Sequence, residues 1–165
     1  MRAIALIAGL LLLGACGFTP VYGTASSTAS SSVEAQLSNV YIDNIPNRSG
    51  QILRNTLIDR FYRSGRPANA NYILTVRNLR EQTIDLDITK TSDSTRAQLR
   101  LNAVMTLRHK NNADILLERN LRTITSYNIL SSEFATRITE SDARENAIQA
   151  LAEQIETQLG LYFKR

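Results

Sequence analysis

Residues 97–107 read Ala-Gln-Leu-Arg-Leu-Asn-Ala-Val-Met-Thr-Leu, and this stretch decides the fold. Every odd position (Ala97, Leu99, Leu101, Ala103, Met105 and Leu107) is apolar, while the even ones are Gln98, Arg100, Asn102, Val104 and Thr106. A period of two sends successive side chains to opposite faces of a strand, so one face of this strand is buried. A turn at 109–113 leads into a second run, Ile115 to Tyr127. Setting Leu107 opposite Leu117 in an antiparallel hairpin also sets Ala103 opposite Leu121 and Ala97 opposite Tyr127. Asn102 then faces Arg122, and Thr106 faces Glu118, on the polar side. The same register puts Arg119 opposite Met105 on the apolar side, which calls for a bulge or an edge position.

The remaining elements are read outward from this hairpin. Val40-Tyr41-Ile42 is a short strand ended by the turn signal Asp43-Asn44-Ile45-Pro46. A helix starts near Asn47 or Ser49, either of which suits an N-cap, and carries Ile52, Leu53, Leu57 and Phe61 at helical spacing. Ser64-Gly65-Arg66-Pro67 stops it. Asn71 to Glu81 is a strand with Tyr72, Leu74 and Val76 on one face. Thr139-Glu140-Ser141-Asp142 opens the last helix as an Asp variant of the capping box. Its stripe of Ala147, Ile148, Leu151, Ile155, Leu159 and Tyr162 packs on a sheet. Its acidic face (Glu145, Glu153, Glu156) does not suit an anionic lipid surface. The order β-α-β-β-β-α implies an α+β two-layer sandwich. We expect a mainly antiparallel four-stranded sheet with two helices on one face and a polar, uncovered second face.

Composition limits the chemistry. The 165 residues make one domain, 43% hydrophobic and 21% charged, with a formal charge of +4. One cysteine, Cys16, and one histidine, His109, leave no Cys/His zinc site, disulfide framework or Cys–His pair. His109 lies in or beside a turn, and Asp85 and Asp87 read as an exposed pair near a loop. The serines lack a base, and the seven glycines form no phosphate-cradling loop. The reading is a non-enzymatic protein without metal.

The first residues, MRAIALIAGLLLLGAC, carry Arg2 and an apolar run of 11 residues, Ala3 to Leu13. A bilayer-spanning helix needs about 20 apolar residues, so this run fits a secretory signal instead. Leu13-Gly14-Ala15-Cys16 resembles the lipobox of bacterial lipoproteins, in which the cysteine sulfur accepts a diacylglycerol. Residues 1–15 are accordingly read as a lipoprotein signal peptide. Residues 16–32 form the lipidated N-terminus and a flexible Ser/Thr/Ala tether, and 33–165 a single domain. No cofactor is expected beyond covalent acyl chains and diacylglycerol at Cys16. By analogy with lipoproteins, Gly17, where Asp would favour inner-membrane retention, points to the outer membrane.

Charge concentrates in the hairpin. Residues 96–122 hold Arg96, Arg100, Arg108, Lys110, Arg119 and Arg122 against Asp114 and Glu118, a net of +4. The hairpin geometry brings the loops at 87–95 and 128–138 to one end of the sheet. Lys90, Arg96 and Arg137 are expected to converge there, with Arg100 and Arg122 further along the polar face. They read either as surface charge that keeps the face soluble or as an anion site, for which an outer-membrane setting offers the phosphates of lipopolysaccharide or the lumen of a partner protein. Aromatic residues are not interleaved with the arginines, which argues against nucleic acid.

Four segments, in this order, resemble the LptE family of lipopolysaccharide-assembly lipoproteins in its alphaproteobacterial form. They are Cys16-Gly17-Phe18-Thr19-Pro20-Val21-Tyr22-Gly23 after the lipobox, Ile52-Leu53-Arg54-Asn55-Thr56-Leu57, Thr95 to Leu107, and Ala143 to Leu159. The resemblance implies an outer-membrane lipoprotein sitting one to one as a plug in the LptD β-barrel. It also implies help in barrel assembly and lipopolysaccharide binding. The rival reading is another periplasmic lipoprotein subunit, a secretin pilot or a transport auxiliary.

Overall fold

A computed structural model describes residues 27–63, 65–88, 94–112 and 114–164. Helix α1 (Ser27–Ser38) leads to strand β1 (Val40–Ile42) and helix α2 (Asn47–Phe61). Three long strands follow, β2 (Tyr72–Ile88), β3 (Ser94–His109) and β4 (Ile115–Asn128), and helix α3 (Glu133–Phe163) closes the chain. The sheet order is β1-β2-β3-β4, with β1 parallel to β2 and the rest antiparallel. This is the expected α+β sandwich with one helix more than the sequence suggested. Helix α1 begins inside the stretch read as a flexible tether, so that reading is corrected for residues 27–32. The signal peptide, Cys16 and Lys90 lie outside the described residues.

The register of the β3–β4 hairpin is the one the apolar pattern demands, from Leu107 on Leu117 to Ala97 on Tyr127. All six odd positions of β3 from Ala97 to Leu107 are buried. Leu99, Leu101, Ala103, Met105 and Leu107 meet Leu53, Leu57 and Phe61 of α2 and Ala147, Ile148, Leu151, Ile155 and Leu159 of α3 in one core. Each large aliphatic side chain taken from water here contributes roughly 1.5–3 kcal/mol. Arg60 of α2 ties to Glu156 of α3 at 2.6 Å, and Thr123 and Thr125 of β4 donate to the carbonyls of Ala147 and Ala143. Arg119 is exposed because β4 is an edge strand: its guanidinium turns out of the core and donates to the Glu118 carbonyl at 2.8 Å.

Three boundaries differ from expectation. Helix α2 has Pro46 as its N-cap, without a side-chain cap bond, and neither Asn47 nor Ser49 plays that part. Its first turn instead packs hard on the preceding loop. A Cβ on Gly50 would come within 2.7 Å of Ile45 Cγ2, so only glycine fits. Helix α3 starts at Glu133, with the Ser132 hydroxyl accepting from the Ala135 amide, not at Thr139. Thr139 instead donates to the carbonyls of Asn128 and Thr136. Strand β2 runs to Ile88, past Glu81, after a bulge between Arg77 and Arg80 in which Asn78 takes a left-handed φ of 55°.

Candidate functional site: the open face of the sheet

The helices cover one face of the sheet and leave the other open. Cross-strand pairing arranges the open face in rows. Thr75, Thr106 and Glu118 form one row, Arg77, Val104 and Asn120 the next, then Arg80, Asn102 and Arg122, then Gln82, Arg100 and Ile124. Six arginines (77, 80, 96, 100, 108 and 122) share this face with a single carboxylate, Glu118, among the described residues.

Short polar contacts set these side chains. Arg122 Nε donates to Asn102 Oδ1 at 2.9 Å, Arg100 Nε to Gln98 Oε1 at 2.7 Å, and Arg108 Nη2 to Thr75 Oγ1 at 3.4 Å. The Thr106 hydroxyl donates to Glu118 at 3.4 Å. The β2 bulge opens a shallow groove of about 580 Å³ beside the middle row, lined by Asn78, Arg80, Asn102, Val104, Asn120 and Arg122. Two guanidinium groups flank an amide there with no acid in the row, a geometry that receives an oxyanion through forked N–H donors.

The predicted basic cluster is brought together only in part. Arg96, Arg100 and Arg122 share the open face. Arg137 does not join them: it stands on α3, in the helix layer, and pairs with Glu133 one turn back at 2.5 Å. Arg77 and Arg80, absent from the sequence reading, belong to the face. The bulge hid them, because it inserts an extra residue and breaks the alternation that would have assigned them a side. The face is also less polar than expected, since Tyr41, Ile115 and Ile124 lie on it exposed. His109 is the last residue of β3, beside the turn: Nδ1 accepts from the Asn111 amide at 3.3 Å and the ring meets Tyr72 edge-on. Asp85 is exposed on β2, three residues before the strand ends at Ile88.

On the covered face, one ion network reaches β2. Arg144 of α3 meets Glu81 and Glu140, each at 2.7 Å, and the Glu81 bonds above all hold its guanidinium even more firmly charged than usual. Burial and the nearby Glu140 charge push the Tyr127 phenol up. No helix among the described residues is long and apolar enough to cross a membrane.

Residues 37–159 match the family model described as LptE, lipopolysaccharide-assembly. The chain belongs to the LptE family. Family membership ties it to lipopolysaccharide assembly in general terms and covers the whole sheet, α2 and most of α3, while α1 lies almost wholly before the matched segment. Among solved structures, a chain from Caulobacter crescentus CB15 aligns with a TM-score of 0.62 at 18% identity, over 81% of this chain and 96% of that one. A minor lipoprotein from Acinetobacter baumannii aligns at 0.54 and 21%, over 74% and 88%. The rare lipoprotein B from Shewanella oneidensis aligns at 0.55 and 14%, over 74% and 92%. At these identities the likeness establishes the LptE-type fold alone. No curated protein matches the chain.

Proposed function

We propose that this LptE-family chain is an outer-membrane lipoprotein, acylated at Cys16, that works one to one with an LptD-type β-barrel to place lipopolysaccharide at the cell surface. It serves as barrel plug, assembly aid and lipopolysaccharide binder. The observation that carries this reading is the open sheet face, with its row Arg80–Asn102–Arg122 beside the bulge groove. Large barrels have polar interiors, and those of about 22 strands or more hold plugs. A domain with one face rich in guanidinium and amide groups keeps those groups hydrogen-bonded against such a wall. The same row suits the phosphates of lipopolysaccharide, so the anion site moves from the loop cluster of Lys90, Arg96 and Arg137 to Arg80, Arg100 and Arg122.

The test is copurification of the full chain from membranes in mild detergent. A large outer-membrane barrel at equal stoichiometry is the expected partner; a secretin or an inner-membrane transporter in its place overturns the reading. Arg80→Glu with Arg122→Glu should weaken lipopolysaccharide binding, leave the thermal melt unchanged and reduce the salt dependence of binding.

A further inference from the structure

Three stretches of sheet edge lack a strand neighbour; side chains seal β1 and block β4 at three points along its length. At β1, the Tyr62 hydroxyl donates to the Val40 carbonyl at 2.6 Å and accepts from the Ile42 amide at 3.3 Å, occupying the place of a neighbouring strand. Arg54 adds bonds to the carbonyls of Ile42 and Asp43. At β4, three of the outward carbonyls are taken by side chains, spaced along the strand: Glu118 by Arg119, Arg122 by Gln154 and Asn128 by Thr139. The third edge belongs to β2. Strand β1 pairs only with Tyr72, Ile73 and Leu74, so β2 has one neighbour from Thr75 onward.

The ladder fixes which β2 groups point outward. Odd residues of β3 turn their backbone toward β4: the His109 amide donates to Asp114, and the Thr95 carbonyl accepts from Ile129. Even residues of β3 therefore bond β2, and Arg80–Asn102, Gln82–Arg100 and Ile84–Gln98 are the bonded pairs. Glu81, Thr83 and Asp85 then direct N–H and C=O away from the sheet. All three residues are exposed, and among the described residues no side chain hydrogen-bonds their backbone. Arg144 takes the Glu81 carboxylate and leaves the main chain alone.

Natural sheets block edges that are not used. Here the blocking is selective. We propose that residues 79–85 of β2 accept an extended segment of a partner protein as a fifth strand, with Lys or Arg at every second position on the side facing Glu81, Thr83 and Asp85. The chemistry follows from cross-strand pairing, in which opposite residues share a face. A second copy of this chain is a poor occupant. Antiparallel self-pairing puts Glu81 opposite Asp85 in one register, and in the next sets Glu81 opposite Thr83 and Asp85 opposite Leu79, with no cation from either strand on that side and each Arg144 already held by its own Glu81 and Glu140. A basic alternating strand meets Asp85 and shares Glu81 with Arg144, while its other face lies beside Gln82 and Ile84.

The experiment uses the full chain and the synthetic peptide acetyl-Val-Lys-Thr-Lys-Val-Lys-Thr-amide, with a Glu-for-Lys version as control. Amide exchange followed by NMR should slow by about tenfold at Glu81, Thr83 and Asp85 and stay unchanged at Asn120 and Ile124 on the β4 edge. Thr83→Pro removes an outward N–H without touching the β2–β3 ladder, so it should abolish the protection and keep the melt. Should that variant lose its dispersed spectrum, Asp85→Lys decides instead: it should weaken the Lys peptide and strengthen the Glu peptide. Equal protection of both edges, equal binding of the two peptides, or no protection at millimolar peptide overturns the proposal.

Discussion

Leu74 and Val76 lie on the same face of β2 as Glu81, Thr83 and Asp85, yet the first pair is buried and the trio is exposed. The difference is in what stands above them. At about 1.5 Å per residue, α2 spans roughly 22 Å and α3 roughly 46 Å, whereas β2 at about 3.3 Å per residue spans roughly 56 Å. Helices α1 and α2 fill the layer near β1, and α3 lies over β3 and β4. Beyond the bulge, β2 has no apolar helix face packed on it, only the Arg144 side chain of α3 reaching Glu81, and its residues turn polar on the covered side. One half of the strand is held by burial. The other is held by ladder hydrogen bonds and the Arg144 network, so local stability should differ along the strand.

The largest effect should come from charging the buried half. Leu151 is fully buried in the shared core. Leu151→Asp places an unpaired carboxylate there and should cost several kcal/mol, enough to unfold the domain in a thermal melt. Asp85→Asn, beyond the bulge, should stay within about 0.5 kcal/mol of the parent. A Leu151→Asp protein that melts like the parent would erase the distinction between the halves.

Of this contrast only the buried half, with Tyr72, Leu74 and Val76 on one face, is legible in the sequence, because the alternation breaks at the bulge. Elsewhere more is legible, and the unreadable parts have physical causes. The β3 alternation and the β3–β4 register were legible because buried apolar residues occupy every second position. Helix α3 was read six residues short because its first buried residue is Ala143. Phe134 and Ile138 are exposed, so its first turns show no apolar stripe, and several Ser and Thr residues compete for the cap. Helix α1 offers only Val33 and Leu37 as apolar anchors in a Ser/Ala background, too few to distinguish it from a linker. At the candidate site, Arg100 and Arg122 were legible from the hairpin register, while Arg77 and Arg80 required the bulge.

A smaller effect should follow from unsealing β1, within the buried half. Tyr62→Phe keeps the ring and removes the hydroxyl that serves Val40 and Ile42. A loss of about 1–2 kcal/mol is expected in chemical denaturation. The pH dependence sharpens this. Burial pushes the Tyr62 phenol up from its usual 10.0, so the folded state holds the proton more tightly than the unfolded chain. That contribution is complete below about pH 10 and is lost as pH rises through the raised folded value. The alkaline fall in stability should therefore be shallower in Tyr62→Phe. Tyr127, whose phenol is also raised, should keep some of the slope.

The smallest effect tests the exposed half directly. Arg144 is the one described side chain of α3 that forms an ion pair with β2, and its side chain and those of Glu81 and Glu140 are each about a third exposed (31%, 28% and 33%). Solvent screens such a network, so Arg144→Met should cost about 1 kcal/mol or less in global stability. The local consequence should be clearer than the global one. With the guanidinium gone, no side chain of α3 forms an ion pair with β2 beyond the bulge, and amide exchange at Gln82 and Ile84 should quicken. Leu74 and Val76, held by the core, should keep their protection. High salt should reproduce part of the effect in the parent chain, because it weakens the same ion pairs. If exchange quickens equally on both sides of the bulge, the strand opens as one cooperative unit and the division drawn here fails. If it quickens only beyond Arg80, the bulge marks the boundary between a packed body and an arm that the Arg144 network holds to it.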